Sequence, residues 1–503
     1  MKKFMYAALA VAAVLLFASC KNDKSQPNDQ EKADAYVSFT FNLPQSGFRA
    51  GVSDKNAKDE YAGTDAEQAI NGVRVVLYDP ASGAAKYAFD YSITGDGNQA
   101  PTGDGIAPNG TAATTARFTT KAEGVTSQDY LMLAIINPTA EVKTATDKGK
   151  TLLDAQAAIT TDVKTLSADG AAIMMSNDRG LVKVTPDKMK DAANAAEQAP
   201  VAVSVDRILA KVFVGGKAEV PTGAKFTGIK WQLNTTNKKT FIYRQFGQVA
   251  TSTVNVFKIE TAGDQSKRFD RYAQDPNFSG AFVAADFDYI DGTPDLKGTF
   301  GYDDANGQYC LENTMDAASQ KVQQTTSFIL SGTWTPKGFS EGETWYSYQG
   351  FTFTVAKMKE YIAEAKDKAK KDKADINGTP VGFKTALKAL LAEANCPVKA
   401  DGTITESFVS HDIKGYKDGV CYYQSNLIRH FNDDQSSLNM GYGRYGVVRN
   451  NIYKINIKSI SQPGEPTVVN DKDKDKDDDP KDVFVSFDVT INPWIVRTQD
   501  ISL

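Results

Sequence analysis

The sequence predicts a mainly β protein built as two β-sandwich domains with small helical insertions. Three observations predict it. Short runs rich in Val, Ile, Phe and Tyr recur along the chain, either alternating with polar residues or continuous, with Gly, Pro, Asn and Asp between them. Only two stretches carry a long apolar stripe at helical spacing, and both lie in the back half. The chain has 503 residues, too many for one ordinary core, and its strongest β run ends at Gly215-Gly216.

The chain opens on Lys2 and Lys3 followed by an apolar run, Tyr6 to Ala18, and then Phe17-Ala18-Ser19-Cys20. The run is too short to span a bilayer and has the charged-then-apolar layout of an export signal. Small residues followed by cysteine at its end resemble a bacterial lipobox, in which Cys20 is lipidated and residues 1–19 are removed. Lys21 to Asp34 is polar and has almost nothing to bury.

Ala35 to Gly51 begins as a strand, with Val37, Phe39, Phe41 and Leu43 on one face and Tyr36, Ser38, Thr40 and Asn42 on the other. It ends in a loop carrying Arg49, the first arginine of the chain, followed by Ala50 and Gly51. This predicts a temporary strand released by cleavage between Arg49 and Ala50.

From Ala50 to about Glu67 the chain is polar. Strands are expected at Ile70–Tyr78, Arg117–Thr120, Tyr130–Ile136, Ile173–Asn177, Leu181–Thr185 and Pro200–Val214. Tyr130–Ile136 is continuously apolar, as a strand buried on both faces would be. Leu152–Leu166 reads as a small helix. In the back half, strands are expected at Ala224–Leu233, Thr240–Arg244, Thr325–Trp334, Trp345–Thr354, Gly419–Ser425, Tyr445–Val448 and Ile452–Ile460. Ala356–Lys373 sets Met358, Tyr361, Ile362, Ala365 and Ala369 on one stripe, and Phe383–Ala394 does the same with Leu387, Leu390 and Leu391. After Ser461 the chain becomes QPGEPTVVNDKDKDKDDDPKD, which reads as a charged, extended linker unable to build a core.

Composition and motifs exclude several classes of function. A formal charge of -5 with no basic, aromatic-interleaved stripe argues against a nucleic-acid partner. Gly441-Tyr-Gly443-Arg-Tyr-Gly446 has dinucleotide-loop spacing but is followed by a strand pattern rather than a helix. Asp471 to Asp482 alternates like a calcium loop, yet Lys476 stands where a glycine is needed and Asp482 where a glutamate is needed. Two histidines, His411 and His430, and no nucleophile motif leave no basis for an enzyme, and no cofactor or metal site is expected. Cys310, Cys396 and Cys421 are odd in number and widely spaced, and read as small buried hydrophobes rather than disulfide partners.

The signal that remains is a match between the two ends. Val37-Ser-Phe-Thr-Phe-Asn-Leu43 near the front and Val485-Ser-Phe-Asp-Val-Thr-Ile491 near the back present the same face. A back strand of one subunit would then fill the slot emptied by the front strand of another, a head-to-tail contact that grows a filament. Two alternatives stay open for the donated part. Val485, Phe487, Val489 and Ile491 are candidates; so are Trp494, Ile495, Ile501 and Leu503, if Val483–Ile491 is the last strand of the second sandwich.

On the lipobox at Cys20, Gly47–Gly51, Val203–Arg207 with Ala210-Lys211-Val212, Val447–Ile460 and the Val489–Trp494 ending, the chain resembles the fimbrillins of type V pili. Within them it is most similar to the major subunit of short (Mfa-type) fimbriae. The resemblance implies two transthyretin-like β-sandwiches plus an extended C-terminal donor segment. It divides the chain into signal peptide 1–19, propeptide 20–49, sandwiches 50–214 and 215–481 with the acidic linker at the end, and donor segment 482–503. It also implies a lipoprotein precursor at the outer membrane, cleavage by an arginine-specific protease, and polymerisation with copies of itself. Anchor and tip subunits and host or bacterial receptors are the other implied partners, in adhesion and biofilm formation. The rival expectation is a permanently anchored surface lipoprotein, glycan-binding or serving as a fimbrial anchor or tip.

Overall fold

The computed structural model describes residues 33–44, 63–160, 162–167, 170–245, 273–316, 318–367, 375–430, 445–478 and 485–493. Cys20, Arg49, Ala50, Trp494, Ile495, Ile501 and Leu503 lie outside the described residues.

The first unit contains strands β1 (Ala35–Val37), β2 (Phe39–Asn42), β3 (Val73–Tyr78), β4 (Ala85–Tyr91), β5 (Arg117–Thr119), β6 (Glu123–Val125), β7 (Tyr130–Ile136), β8 (Met175–Asn177), β9 (Val182–Val184) and β10 (Val201–Arg207). β1 pairs β6, and the others form an eight-stranded sheet in the order β4-β3-β7-β8-β10-β2-β5, with β9 also on β7. The sheet is curled, so Phe41 and Phe118 from one end meet Val75 and Tyr91 from the other in one core. As its apolar run predicts, β7 is buried on both faces. Tyr130, Met132, Ala134 and Ile136 face the inner core, whereas Leu131, Leu133 and Ile135 face a second one.

That second core joins the two halves of the chain. It sets Val76, Tyr78 and Leu133 against Phe213, Tyr243, Leu311 and Ile452. Burying this apolar surface makes the two halves one packed body rather than two beads on a linker.

Pro200–Val214, continuous in the sequence pattern, breaks at Ile208: β10 ends at Arg207 and β11 (Leu209–Glu219) enters a different sheet. β11 runs through Gly215-Gly216, where the sequence places the boundary. At Gly216 φ is +121°, and an added Cβ would lie 2.4 Å from the Ile457 carbonyl oxygen, so the glycine serves a close strand approach. β12 (Lys225–Asn234), β13 (Gly298–Thr299), β14 (Gln308–Leu311), β15 (Ser327–Thr335), β16 (Trp345–Tyr348), β17 (Phe351–Thr354), β18 (Phe408–Ser410), β19 (Ile413–Tyr416), β20 (Val420–Leu427), β21 (Asn451–Ile460) and β22 (Val485–Pro493) follow. Sheet β14-β11-β21-β22 faces sheet β13-β12-β15-β20 across a core of Val212, Val214, Trp231, Phe328, Trp334, Tyr453 and Ile455.

Tyr445–Val448, expected as a strand, makes only isolated bridges, Tyr445 to Arg429 and Val447 to Asn313. Four further expectations are corrected. Leu152–Leu166 is two short helices, Leu152–Gln156 and Val163–Ser167, separated by a strand, Ala158–Thr160, that pairs Lys239–Phe241. Trp345–Thr354 is a hairpin, because Gln349 and Gly350 take φ of +47° and +80° and turn the chain back. The two striped helices, Val355–Lys366 and Phe383–Leu391, do not merely interrupt the sandwich. They pack on the sheet β17-β16-β19-β18 and build a core of their own around Tyr346, Phe353, Tyr361 and Phe383.

The fourth is the acidic linker. Residues 471–478 are docked on the second sandwich, with Asp471 and Asp478 fully buried. Asn234 Nδ2 and Lys474 Nζ satisfy Asp471, the Lys474 pair at 2.8 Å. Thr325 Oγ1 donates to Asp478 Oδ2 at 2.6 Å, and Val322 N donates to Lys476 O at 3.0 Å. A charged run reads as solvated until a partner strand offers buried donors to its carboxylates. Among the described residues no group of His, Cys, Asp and Glu could hold a metal.

Candidate functional site

The site is the slot occupied by Ala35–Leu43. β2 lies between two neighbours, parallel to β10 with Phe39 opposite Val201, and antiparallel to β5 with Phe41 opposite Phe118. The ladder continues past the strand ends: Val201 N donates to Ser38 O at 2.8 Å, Thr120 N to Phe39 O at 2.8 Å, and Leu43 N to Ala116 O at 2.9 Å. β1 pairs β6, with Val37 opposite Glu123, and Tyr36 exchanges both backbone hydrogen bonds with Lys190.

Val37, Phe39 and Phe41 are fully buried and Leu43 packs against the same core. The expected polar face divides. Tyr36 is exposed, but Ser38 and Thr40 are buried and hydrogen-bonded. Ser38 Oγ donates to Thr120 O at 2.6 Å, Phe39 N donates to Thr120 Oγ1 at 3.1 Å, and the Thr40 and Thr119 hydroxyls meet at 2.8 Å. Strand 39–42 is thus an interior strand, second from the edge of its sheet, with an apolar face and a satisfied polar face.

Each buried Phe or Val side chain stabilises by roughly 1.5–3 kcal/mol, and each buried unpaired backbone group costs about 1–3 kcal/mol. Emptying this slot would leave both an apolar trough and two open ladder edges, β10 and β5.

The strand leaves the slot at the junction of the two halves. The Arg207 guanidinium donates to Pro44 O and, through Nε, to Glu67 O, each at 3.4 Å. Glu67 closes the short helix Asp65–Gln68 as the acidic member of a capping box on Thr64. It is fully buried and takes Lys211 Nζ at 2.6 Å and Tyr309 OH at 2.5 Å. Burial alone would raise its pKa, but Lys211, Tyr309 and Thr64 outweigh that and hold it below the ordinary 4.5. Burial draws Arg207 down to about 10, against the pull of Glu67 and Asp206.

Beside it, Arg244 pairs Asp206 at 2.9 Å, Asn450 Nδ2 donates to Asp206 Oδ1 at 2.8 Å, and Arg449 Nε pairs Glu312 at 2.8 Å. The neighbouring runs Val203–Arg207 and Ala210–Val212 therefore meet the distant Val447–Ile460 here. Glu67, Arg244 and Glu312 were not singled out in the sequence; their only local signal is a charge inside or beside an apolar run.

At the other end of the chain, Val485–Pro493 forms β22, antiparallel to β21 from Ile460 opposite Val485 to Asn451 opposite Pro493. The Gly446 turn is followed by this β21, not by a helix.

Comparison with known proteins bears on all of this. The family profile described as the C-terminal part of fimbrillin, major fimbrial subunit protein type IV, matches residues 414–500. That of the major fimbrial subunit protein FimA matches residues 35–207. Together they take in just over half of the chain, including the slot strand, β10, β21 and β22. No curated protein matches it. Among solved structures, a fimbrilin from Porphyromonas gingivalis is 14% identical, over 93% of this chain and 99% of its own, at a TM-score of 0.42. The tip fimbrial protein Mfa3 from the same organism is 10% identical, over 90% of this chain and 99% of its own, at 0.34. A fimbrial assembly protein from Parabacteroides distasonis is 14% identical, over 59% of this chain and 81% of its own, at 0.31. On the two profile matches, this chain belongs to the fimbrillin family of major fimbrial subunits, structural proteins of the cell-surface fimbrium rather than enzymes.

Proposed function

We propose that the chain is a shaft subunit made as a lipoprotein, acylated at Cys20 and carried to the outer membrane. An arginine-specific protease cuts between Arg49 and Ala50, so the lipid anchor and the Val37–Leu43 strand leave together. The C-terminal segment of another copy, within residues 482–503, then fills the slot, and repetition gives a head-to-tail fibre. Anchor and tip subunits end the fibre, and its adhesion to host or bacterial surfaces supports biofilm formation.

The observation that carries this reading is the position of the Ala35–Leu43 strand. Its Phe39–Asn42 part is largely buried and paired along both edges inside a sheet, yet the whole segment lies upstream of Arg49. A segment that can be cut off is an unusual choice for a core strand unless another strand replaces it.

Replacing Arg49 with alanine is expected to give a lipidated monomer whose intact mass includes residues 20–49. Normal fibres from that variant would refute the reading. Deleting Val483–Leu503 is expected to leave processed subunits that do not polymerise. The rival, a permanently anchored surface lipoprotein, predicts that the wild-type surface form retains residues 20–49; N-terminal sequencing of surface material separates the two.

A further inference from the structure

We propose that Thr119 makes the slot selective for a strand with a neutral side chain opposite it, so that the chain's own Val485–Ile491 is refused. The proposal rests on the strand-exchange reading above and names which strand the slot rejects.

Thr40 and Thr119 are register partners, and their hydroxyls hydrogen-bond at 2.8 Å with 3% and 1% of their surfaces exposed. The neighbouring Thr120 is fully buried and already accepts from Phe39 N. Laying the shared V-S-F pattern in the same register puts Val485 at Val37, Ser486 at Ser38, Phe487 at Phe39 and Asp488 at Thr40. A carboxylate there would find one hydroxyl donor in place of water, which is far too little for a buried charge.

The charged groups on this side do not rescue it. Glu197, itself buried, accepts from Asn109 N at 3.0 Å and Ala122 N at 3.3 Å, and as a carboxylate it has no proton to donate to a second one. Arg117 is half-buried, opposes Asn42 rather than Thr40, and donates to Thr111 Oγ1 at 3.4 Å. Lys121 is exposed. On the apolar side, Val489 would replace Phe41 and leave the Phe118 ring without its stacking partner. In their own subunit the same residues pair β21 in the backbone register, with Asp488 opposite Asn456.

The test uses the full chain, cut at Arg49 by limited arginine-specific proteolysis, and fluorescent peptides followed by anisotropy. The peptide of residues 34–44 is expected to bind, its Thr40→Ser form within a few-fold, and its Thr40→Asp form at least about tenfold more weakly. The peptide of residues 484–493 should bind as weakly as Thr40→Asp, and its Asp488→Thr form should recover affinity. Thr40→Asp binding as tightly as the parent would overturn the proposal. So would a loss of Thr40→Asp binding in an Arg117→Gln protein that still binds the parent, because Arg117 would then be accepting the charge. Failure of the parent peptide itself to bind would instead refute the exchangeable slot, and the selectivity with it.

Discussion

The rings of Phe41 and Phe118 lie face to face, 5.0 Å between centroids and 7° between planes, and both are fully buried. One ring belongs to the segment upstream of Arg49 and the other to the body of the chain downstream of it. Phe41→Ala is expected to lower the stability of the uncut chain by about 3–5 kcal/mol, from lost burial plus the cavity left beside Phe118. Chemical denaturation of parent and variant measures it. A loss under about 1 kcal/mol would show that the slot strand is not part of the cooperative core.

The Glu67–Lys211 pair makes a second prediction. Removing one partner of a fully buried pair strands the other charge, so Glu67→Leu should cost about 3–5 kcal/mol. Adding Lys211→Met should recover most of that loss.

The pH dependence of the same pair has a definite sign. Glu67 titrates below the ordinary 4.5, so its contribution is present above that pH and is lost as pH falls through the lower, folded value. Unfolding measured between about pH 5 and 2 should show a steeper acid loss in the parent than in Glu67→Gln. Equal slopes would contradict the assignment.

The docked acidic run should resist lysine-specific proteolysis at Lys472 and Lys476 despite its composition, because its backbone is tied to Val322 and Gln320. Asp471→Ala with Asp478→Ala should speed that cleavage at least about tenfold while the rest of the fold persists. Rapid cleavage of the parent would refute docking.

Cys310 and Cys421 are fully buried, and burial pushes each thiol up to about 12. Cys396 is partly exposed. In the native protein Cys396 should therefore react with a thiol reagent at pH 8 while Cys310 and Cys421 wait for unfolding. Mass spectrometry of the modified peptides reads the order.

Much of the fold was legible where one periodicity dominates. Tyr130–Ile136, Arg117–Thr119, Lys225–Asn234, Ser327–Thr335 and Asn451–Ile460 show their apolar pattern openly. Ala85–Tyr91 carries Tyr87, Phe89 and Tyr91 in alternation, a signal present in the sequence but not assigned to a strand. Gln308–Leu311 is too short to give any signal. The break at Ile208 was not legible, because it interrupts a run whose composition is β throughout. The break at Gln349-Gly350 was marked by a glycine between two strand runs, a turn signal that the strand pattern of its neighbours masked.

For the site, the sequence by itself determined the apolar face of Val37–Leu43, the arginine after it and the V-S-F pattern shared by the two chain ends, since these depend on local order alone. Only the tertiary structure decided that Ser38 and Thr40 are buried too, that Asp471 and Asp478 are anchored, and that Glu67, Lys211, Asp206 and Arg449 gather at one junction. The reason is physical. A polar or charged side chain goes inside only when a partner from elsewhere in the chain meets it there, as Lys211 meets Glu67, and sequence order does not record that meeting.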